Sequence, residues 1–472
     1  MKSRAGHRFV NLVGLSAQIA GKMASHSVRK LFSSAQHHSM ARSEMLHEIG
    51  SELARTLGEM KGAAMKVGQI ASQMKDLFPE EIAHELEILQ KHAPPMDYAV
   101  IAECIKTELG EEPDTLFAEF EPSPCAAASI GQVHRACLHS GERVVVKVQY
   151  PGVRESCESD LKHLKRLFSL IGLLKLDERM LNDVFDEVRR TLLAELDYEM
   201  EAQNLLLFRD YYANDPSVII PRFFQRYSSR CVLTMSEEAG CGLKEVDTLG
   251  LTAEQINQIG KRLFRLIFEQ IFDLQALHAD PHPGNFAIQT DGRLVLYDFG
   301  AVKRLSDQIS EDFKALIYAV FSRDGPAIDR VLFRRGVRRP ESGDLPTSFY
   351  DHFVDLVLEF FSEDEPFDFA ESTWHKRFVK LLTGRLWEGV TYFQATRESV
   401  HIDRVFTGQY WNLVQLGVQA SLREDLARYA PLPAATDAAM LVSESRSARS
   451  GGGGAVTAKP DNRGLSGNDD TE

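Results

Sequence analysis

The stretch HADPHPGNFAIQTDGRLVLYDFG, residues 278–300, brings His278, Asp280, Asn285 and Asp298 into one short segment. Asp280 and Asn285 stand five apart, as do the acid and the amide of an H-R-D-x-x-x-x-N loop. From Phe286 to Leu296 two apolar runs flank an Asp-Gly pair, the strongest short-range signal for a β-hairpin. Asp298 follows that hairpin, thirteen residues after Asn285, with Phe299 and Gly300 behind it. Transfer of a terminal phosphoryl group needs a carboxylate near the nucleophile, a lysine on the phosphates, and hard oxygen ligands for magnesium. Asp280 suits the first task, and Asn285 with Asp298 the third. Taken singly, His278 reads more simply as a buried histidine that shapes the loop. His282, with Pro281, Pro283 and Gly284, reads as the turn between the two working residues.

Loop, hairpin and D-F-G come in the order of a kinase C-lobe, so an N-lobe should supply a strand lysine and a helical carboxylate. The runs 133–138 and 143–148, joined by a Gly-bearing turn, predict a hairpin. Its second strand, RVVVKVQ, holds Lys147 in a β-branched run, where a charge on a buried side is costly unless paired. Glu195, Asp197, Glu199 and Glu201 fall on a predicted helix within 158–212, and one of them is expected to pair with Lys147. Asp197 and Glu201 are four apart and would share a face; a solvated acidic face is the bland alternative for each. Where a Gly-rich loop would cover phosphates, the chain has CAAASIGQ (125–132), and alanine resists the positive φ of such loops. No A-P-E motif follows Asp298. Both departures point away from an ordinary protein kinase.

Composition sets outer bounds. With 472 residues, 44% hydrophobic and 26% charged, the chain is able to bury a large core divided among two or three lobes. A net charge of −14 argues against nucleic-acid partners, which require Lys and Arg massed on one face. The charge is uneven: residues 1–42 carry seven Lys or Arg and no acid, leaving 47 basic against 68 acidic residues elsewhere. With Phe9, Val10, Val13, Ile19, Met23 and Phe32 among those cations, the arm suits an anionic membrane surface, and equally a solvated arm or an organellar transit peptide. The longest apolar run, LFSLIGLLKL (167–176), is too short to cross a bilayer. Six cysteines without a CxxC pair point to a reducing compartment rather than to zinc or disulfides.

Periodicity divides the remainder. Leu53, Leu57, Met60, Ala64, Val67, Ala71 and Met74 predict a helix over 51–75, and FPEEIAHELEILQKH (78–92) a second. A strand is predicted at 230–238, a helix at 253–277, mostly helix over 310–430, and a disordered tail from 433.

Six motifs in order carry a resemblance: KVGQ (66–69), AAASIGQVHRA (126–136), VVVKVQYPGV (144–153), ELDYEMEAQN (195–204), HADPHPGN (278–285) and DFG (298–300). Over roughly residues 45–430 the chain is similar to the UbiB-like (AarF) atypical kinases, tied to ubiquinone biosynthesis in bacteria and mitochondria. The resemblance implies an α+β, protein-kinase-like two-lobed fold with an N-terminal helical K-x-G-Q extension and a mostly helical C-lobe. The implied domain plan is a basic arm (1–43), the extension (44–120), an N-lobe (121–237), a C-lobe (238–432) and a tail (433–472).

By the same resemblance Lys66 and Gln69 form the K-x-G-Q pair that folds over the active site, engaged by Glu195 and Asp197 as an E-x-D motif. Ala126, Ala127, Ala128 and Ser129 form the nucleotide loop, Lys147 contacts nucleotide with Glu201 as its helical partner, Asp280 is catalytic, and Asn285 and Asp298 hold the metal. The implied cofactors are ATP or ADP and magnesium. The implied activity is ATP hydrolysis in support of ubiquinone biosynthesis or lipid handling rather than protein phosphorylation. A small-molecule phosphotransferase and a nucleotide-binding pseudokinase scaffold are the alternatives. Implied partners are a lipid or polyprenyl-quinone precursor, quinone-biosynthesis proteins and a peripheral membrane surface. The compartment is then the cytoplasm, at the inner membrane, or the mitochondrion if the arm is a transit peptide. The chain departs from the family pattern at Gly131, where many members have Ala, and in lacking the C-terminal spanning helices of a bacterial member.

Overall fold

β-Branched alternation builds the sheet on which Lys147 sits. The computed structural model describes residues 35–60, 95–127, 130–171, 178–343, 347–362, 365–384, 392–394 and 396–430, with Gly14, Glu81, His84, Glu85, Leu345 and Leu432. Helices α1 (Ala35–Met60) and α2 (Tyr98–Leu109) precede strands β1 (Glu119–Phe120), β2 (Ala126–Ala127), β3 (Gly131–Cys137) and β4 (Arg143–Gln149). Then come α3 (Val153–Ile171), α4 (Glu178–Glu195), α5 (Tyr198–Tyr211), β5 (Val218–Ile219), β6 (Val232–Ser236), β7 (Cys241–Gly242) and α6 (Ala253–Phe272). Four short strands follow: β8 (Ala276–His278), β9 (Phe286–Ile288), β10 (Leu294–Leu296) and β11 (Val302–Arg304). The remaining main elements are α7 (Asp307–Phe321), α8 (Gly325–Arg334), α9 (Thr347–Leu358), β12 (Phe367–Asp368), α10 (Trp374–Gly384), α11 (Arg397–Leu416) and β13 (Gln419–Ala420).

The first sheet is antiparallel in the order β1-β3-β4-β6, with β2 also paired to β3. Val144, Val146 and Val148 of β4 are wholly buried, and the two-residue period turns Lys147 to the opposite face. The valine face meets Ile49 and Leu53 of α1, Ile101 and Ile105 of α2, Leu161 and Leu164 of α3, and Val188 and Leu192 of α4 in one core. Gly131 is required there, because a Cβ on it would lie 2.4 Å from the Val148 carbonyl oxygen. It marks a close approach of β3 to β4.

Helix α6 starts at a capping box, with Thr252 accepting from Gln255 N and the Gln255 side chain returning to Thr252 N. Its buried stripe, Ile259, Leu263, Leu266, Ile267 and Ile271, follows helical spacing. The helix stops at Phe272 rather than at 277, and Gln275, with φ 51°, turns the chain into β8. β8 pairs with β11, while β9 and β10 form the predicted hairpin inside a sheet ordered β5-β10-β9-β7. Gly292, with φ 87°, makes its turn.

Two compact units result. One comprises residues up to Leu305 together with His401–Val418, and the other Ser306–Val400 with the residues from Gln419 onward. The second is mostly helical and has its own core around Val320, Ile328, Tyr350 and Val354. Within it Arg338 is buried and donates to Asp329 at 2.9 Å.

Two expectations change. The stretch 158–212 is covered by α3, α4 and α5, and the chain breaks between α4 and α5 because Asp197 leaves the helical path and caps α5. Helix α1 begins at Ala35, inside the expected basic arm, and crosses the 43/44 boundary; of the predicted helix 51–75 it covers the part to Met60. The remainder of that helix lies outside the described residues, as do most of 78–92, the arm before Ala35 apart from Gly14, and the tail after Leu432. Among the described residues no helix is long and apolar enough to cross a membrane.

Candidate active site

Lys147 lies midway along β4, opposite Val133 of β3 and Leu233 of β6, so its backbone is held on both sides. Its ammonium donates to both carboxylate oxygens of Glu201, each at 2.9 Å, and lies 3.7 Å from Asp298 Oδ2. The Tyr198 ring lies against it, 5.0 Å from ammonium to centroid. Burial would lower the ammonium, but Asp298 and Glu201 more than reverse this and hold it well above its ordinary value. Burial pushes the Glu201 carboxyl up to about 7, against the pull of Lys147. Glu201 reaches this position because α5 restarts at Asp197, whose side chain accepts from Met200 N at 3.0 Å.

The opening loop hangs between β8 and β9. His278 is buried, and its Nε2 meets the Tyr297 and Asp298 carbonyls at 3.1 and 2.7 Å, the shaping role expected of it. His282 Nδ1 accepts from Gly284 N at 3.1 Å and closes the turn. The Asn285 amide nitrogen donates to Asp280 Oδ2 at 2.9 Å and to the Asp280 carbonyl at 3.1 Å. That commits the nitrogen and, among the described residues, leaves the amide oxygen, the end a hard cation requires, as the uncommitted atom. Tyr297 N donates to the Asn285 carbonyl at 2.9 Å, tying the loop to the segment that leads into Asp298. Asp298 itself has φ 55°, a strained conformation for a non-glycine residue, and its Oδ1 accepts from Gly300 N at 3.1 Å.

Comparison with known proteins shows the family. The ABC1 atypical kinase-like domain matches residues 88–332, about half of the chain. The chain belongs to the ABC1 atypical kinase-like family. It is 34% identical over 301 residues to the chloroplastic Activity of BC1 complex kinase 7 of Arabidopsis thaliana, a match covering 63% of this chain and 43% of that protein. It is also 34% identical over 322 residues to an uncharacterised chloroplastic aarF domain-containing protein kinase of the same plant, covering 67% of this chain and 45% of the relative. The chain thus spans about half the length of the curated relatives it matches. Among solved structures, the complex of Rv3197 with erythromycin from Mycobacterium tuberculosis superposes with TM-score 0.58 at 27% identity, over 83% of this chain and 98% of that one. The α+β, kinase-like fold is shown by both comparisons.

In this ABC1 kinase-like chain, Lys147, Glu201 and Asp298 meet in one cluster, and Asp280 and Asn285 in a second tied to it through the loop backbone. Of the four acids offered for Lys147, Glu201 is the partner. Asp197 does not share a helical face with it, being the cap before the helix. Glu195 ends α4, near enough to add to the negative field at Glu201. Ala126 and Ala127 form an exposed strand on β3, while Ala128, Ser129, Lys66 and Gln69 lie outside the described residues.

Sequence reasoning passed over four residues of this ABC1 site. Asn204 donates to the Phe299 carbonyl at 3.0 Å, and Phe208 packs on Phe299 and His278, joining α5 to D-F-G and loop. Both lie one and two turns beyond Glu201, a helical spacing that could have pointed to them. Tyr198 is fully buried, and among the described residues its hydroxyl has no hydrogen-bond partner. Arg404 of α11 donates to Asp280 Oδ1 at 2.9 Å, and nothing local in the sequence marks it.

Proposed function

We propose that this chain is an ATP-dependent enzyme that binds Mg–ATP and hydrolyses it, in support of ubiquinone or other lipid metabolism. The observation that carries the reading is the Lys147 ammonium held by both oxygens of Glu201 with Asp298 at 3.7 Å, the arrangement that places a cation on nucleotide phosphates. Among the described residues no three His, Cys, Asp or Glu side chains cluster closely enough to hold a metal alone. The donors present fit magnesium nonetheless: a carboxylate on Asp298 and an amide oxygen on Asn285, with phosphates and water completing the shell. Bound there, magnesium would offset charge on the phosphate oxygens. Lys147 would orient the phosphates, and Asp280 would orient the attacking water and take up its proton.

The resemblance supports a quinone-linked or lipid-linked role, and the relatives' names, which mention a BC1 complex and chloroplasts, support an organellar or membrane-peripheral setting. The basic, acid-free residues 1–42 supply the cations such a surface would attract. The acidic remainder gives nucleic acid no purchase. A second reading, phosphate transfer to a small molecule, draws support from the relative solved with erythromycin.

The test is magnesium-dependent release of phosphate from ATP by the wild type and by Asp298→Asn. Turnover lost in the variant supports the reading, and undiminished turnover sinks it. Stable transfer of phosphate to a hydroxylated small molecule would move the assignment to the second reading. Nucleotide binding without turnover would make the chain a scaffold. A knockout complemented with each form and examined for quinone intermediates addresses the pathway.

A further inference from the structure

Helix α11 begins well beyond residue 332, where the match to the family ends, yet it reaches the catalytic loop with one stripe of residues. Arg404, Gly408 and Asn412 recur at spacing four and so share a face. At Gly408 helix and loop are in such close contact that a Cβ there would lie 2.2 and 2.6 Å from Pro281 side-chain carbons. One turn on, the buried Asn412 donates to the Pro281 carbonyl at 3.0 Å and to Gln409 Oε1 at 3.0 Å. These contacts fix the helix against the loop one residue past Asp280. The Arg404 guanidinium is therefore placed by the fold, not by a chance excursion of a long side chain.

Arg404 meets Asp280 through a single nitrogen, Nη2 to Oδ1 at 2.9 Å, while Asn285 holds Oδ2 at 2.9 Å. About half of the arginine side chain is exposed, at 48%. Of its five N–H donors, this is the one engaged among the described residues. An ion pair so exposed contributes little to stability. Its effect is to hold a planar, permanently charged donor fork beside the carboxylate at which the reacting oxygen is oriented, a shape matched to phosphate oxygens.

We propose that Arg404 is a phosphate-binding residue of the active site, its uncommitted donors receiving the terminal phosphate of the bound nucleotide while Nη2 stays on Asp280. The inference rests on the nucleotide reading above. In hydrolysis the bond from the water oxygen to the γ-phosphorus forms and the bond to the ADP bridging oxygen breaks. The water proton passes by way of Asp280 to the released phosphate, and Arg404 offsets the charge spread over the γ-oxygens. An arginine supplied in cis to a phosphoryl-transfer site acts in this manner in other nucleotide enzymes. An oxyanion at Arg404 could have another source, an acid group on an acceptor molecule, and the two are separable.

The experiment compares the full-length wild type with Arg404→Met, Arg404→Lys and Arg404→Ala, magnesium present throughout. Affinities for ADP and for a non-hydrolysable ATP analogue are measured, with ATP turnover and melting temperature. Arg404→Met is expected to bind ADP within about twofold of wild type, to lose about tenfold of its preference for the analogue, and to turn over ATP about 10³-fold more slowly. Arg404→Lys recovers part of the turnover, and added guanidinium ion restores some to Arg404→Ala, a rescue that a purely structural residue would not show. Wild-type turnover and preference in Arg404→Met overturn the proposal. So does a loss of ADP affinity in step with the analogue and the melting temperature. Unchanged hydrolysis in water alongside impaired transfer to an acidic hydroxyl compound assigns the site to the acceptor and overturns the γ-phosphate assignment. A wild type that binds the analogue without hydrolysing it refutes the hydrolysis reading while the affinity ratio still decides Arg404; one that binds neither nucleotide overturns both.

Discussion

At Lys147 the energetic stakes are those of a buried charge. Glu201 is 2% exposed, so removing the lysine strands a carboxylate where water cannot compensate it. Lys147→Met is expected to cost about 3 kcal/mol in urea unfolding and to abolish turnover. The double variant Lys147→Met with Glu201→Leu should recover most of the stability and none of the activity, separating fold from chemistry. The raised Glu201 carboxyl also predicts a pH dependence. Below about pH 7 it takes a proton and Lys147 loses its partner; above, the pair is ionised. Because the folded value lies above the ordinary carboxyl range, this group favours the folded state most at acid pH, a contribution lost as pH rises through about 7. Catalysis runs the other way: kcat/KM, which reports the free enzyme, should fall about tenfold per pH unit below that point. A profile without that acid limb would show that Glu201 is already ionised. The lysine was legible as a charge inside a β-branched run. Its partner was legible only through the family resemblance, which implied Glu201; by their own pattern four acids in seven residues all suit a continuous helix, and a cap looks like any other aspartate.

Elements bring remote residues to the loop, and their contacts are steric. Gly408→Val should force α11 from Pro281, at about 1–3 kcal/mol for overpacking, with turnover falling alongside. Thr252→Ala, which removes the capping box of α6, should cost about 1 kcal/mol in thermal melts and leave turnover at the wild-type level. Equal activity losses in the two would deny α11 a special place at the loop. Helix α6 and the β9–β10 hairpin were readable because a long apolar stripe and an Asp-Gly turn are local signals. The break at Asp197 was not, because periodicity runs through an acidic cluster without registering which acid has left the helix to bond Met200 N. Gly408 looks like an ordinary weak point in a helix until Pro281 is seen against it.

For the molecule as a whole, a ligand that binds the native state alone raises stability by mass action. Mg–ADP at about 100 times its dissociation constant should add about 2.7 kcal/mol, read as a rise in melting temperature that depends on nucleotide concentration. Asp298→Asn should lose most of that rise while keeping the melting temperature of the free chain, since the Asp298 side chain is nearly half exposed, at 46%. A rise of equal size in the variant would remove Asp298 from the metal site. Outside this site each unit carries its own polar anchoring, as with Arg338 in the second, where burial beside Asp329 and the rings of Phe333, Tyr392 and Phe393 makes the cation structural.

By itself the sequence determined the kinase-like order of parts, the strand that carries Lys147, the loop that couples Asp280 to Asn285, and the hairpin that delivers Asp298. Each is a local pattern of spacing, alternation or turn chemistry, written over a few consecutive residues. Tertiary structure alone decided that Asp197 caps α5 instead of sharing its face, that Phe208 packs edge-on and tilted against His278 and Phe299, and that Arg404 reaches Asp280 across 124 residues of chain. Those pairings depend on where whole helices pack, and packing is set by the summed burial of many side chains, which no short window of sequence contains.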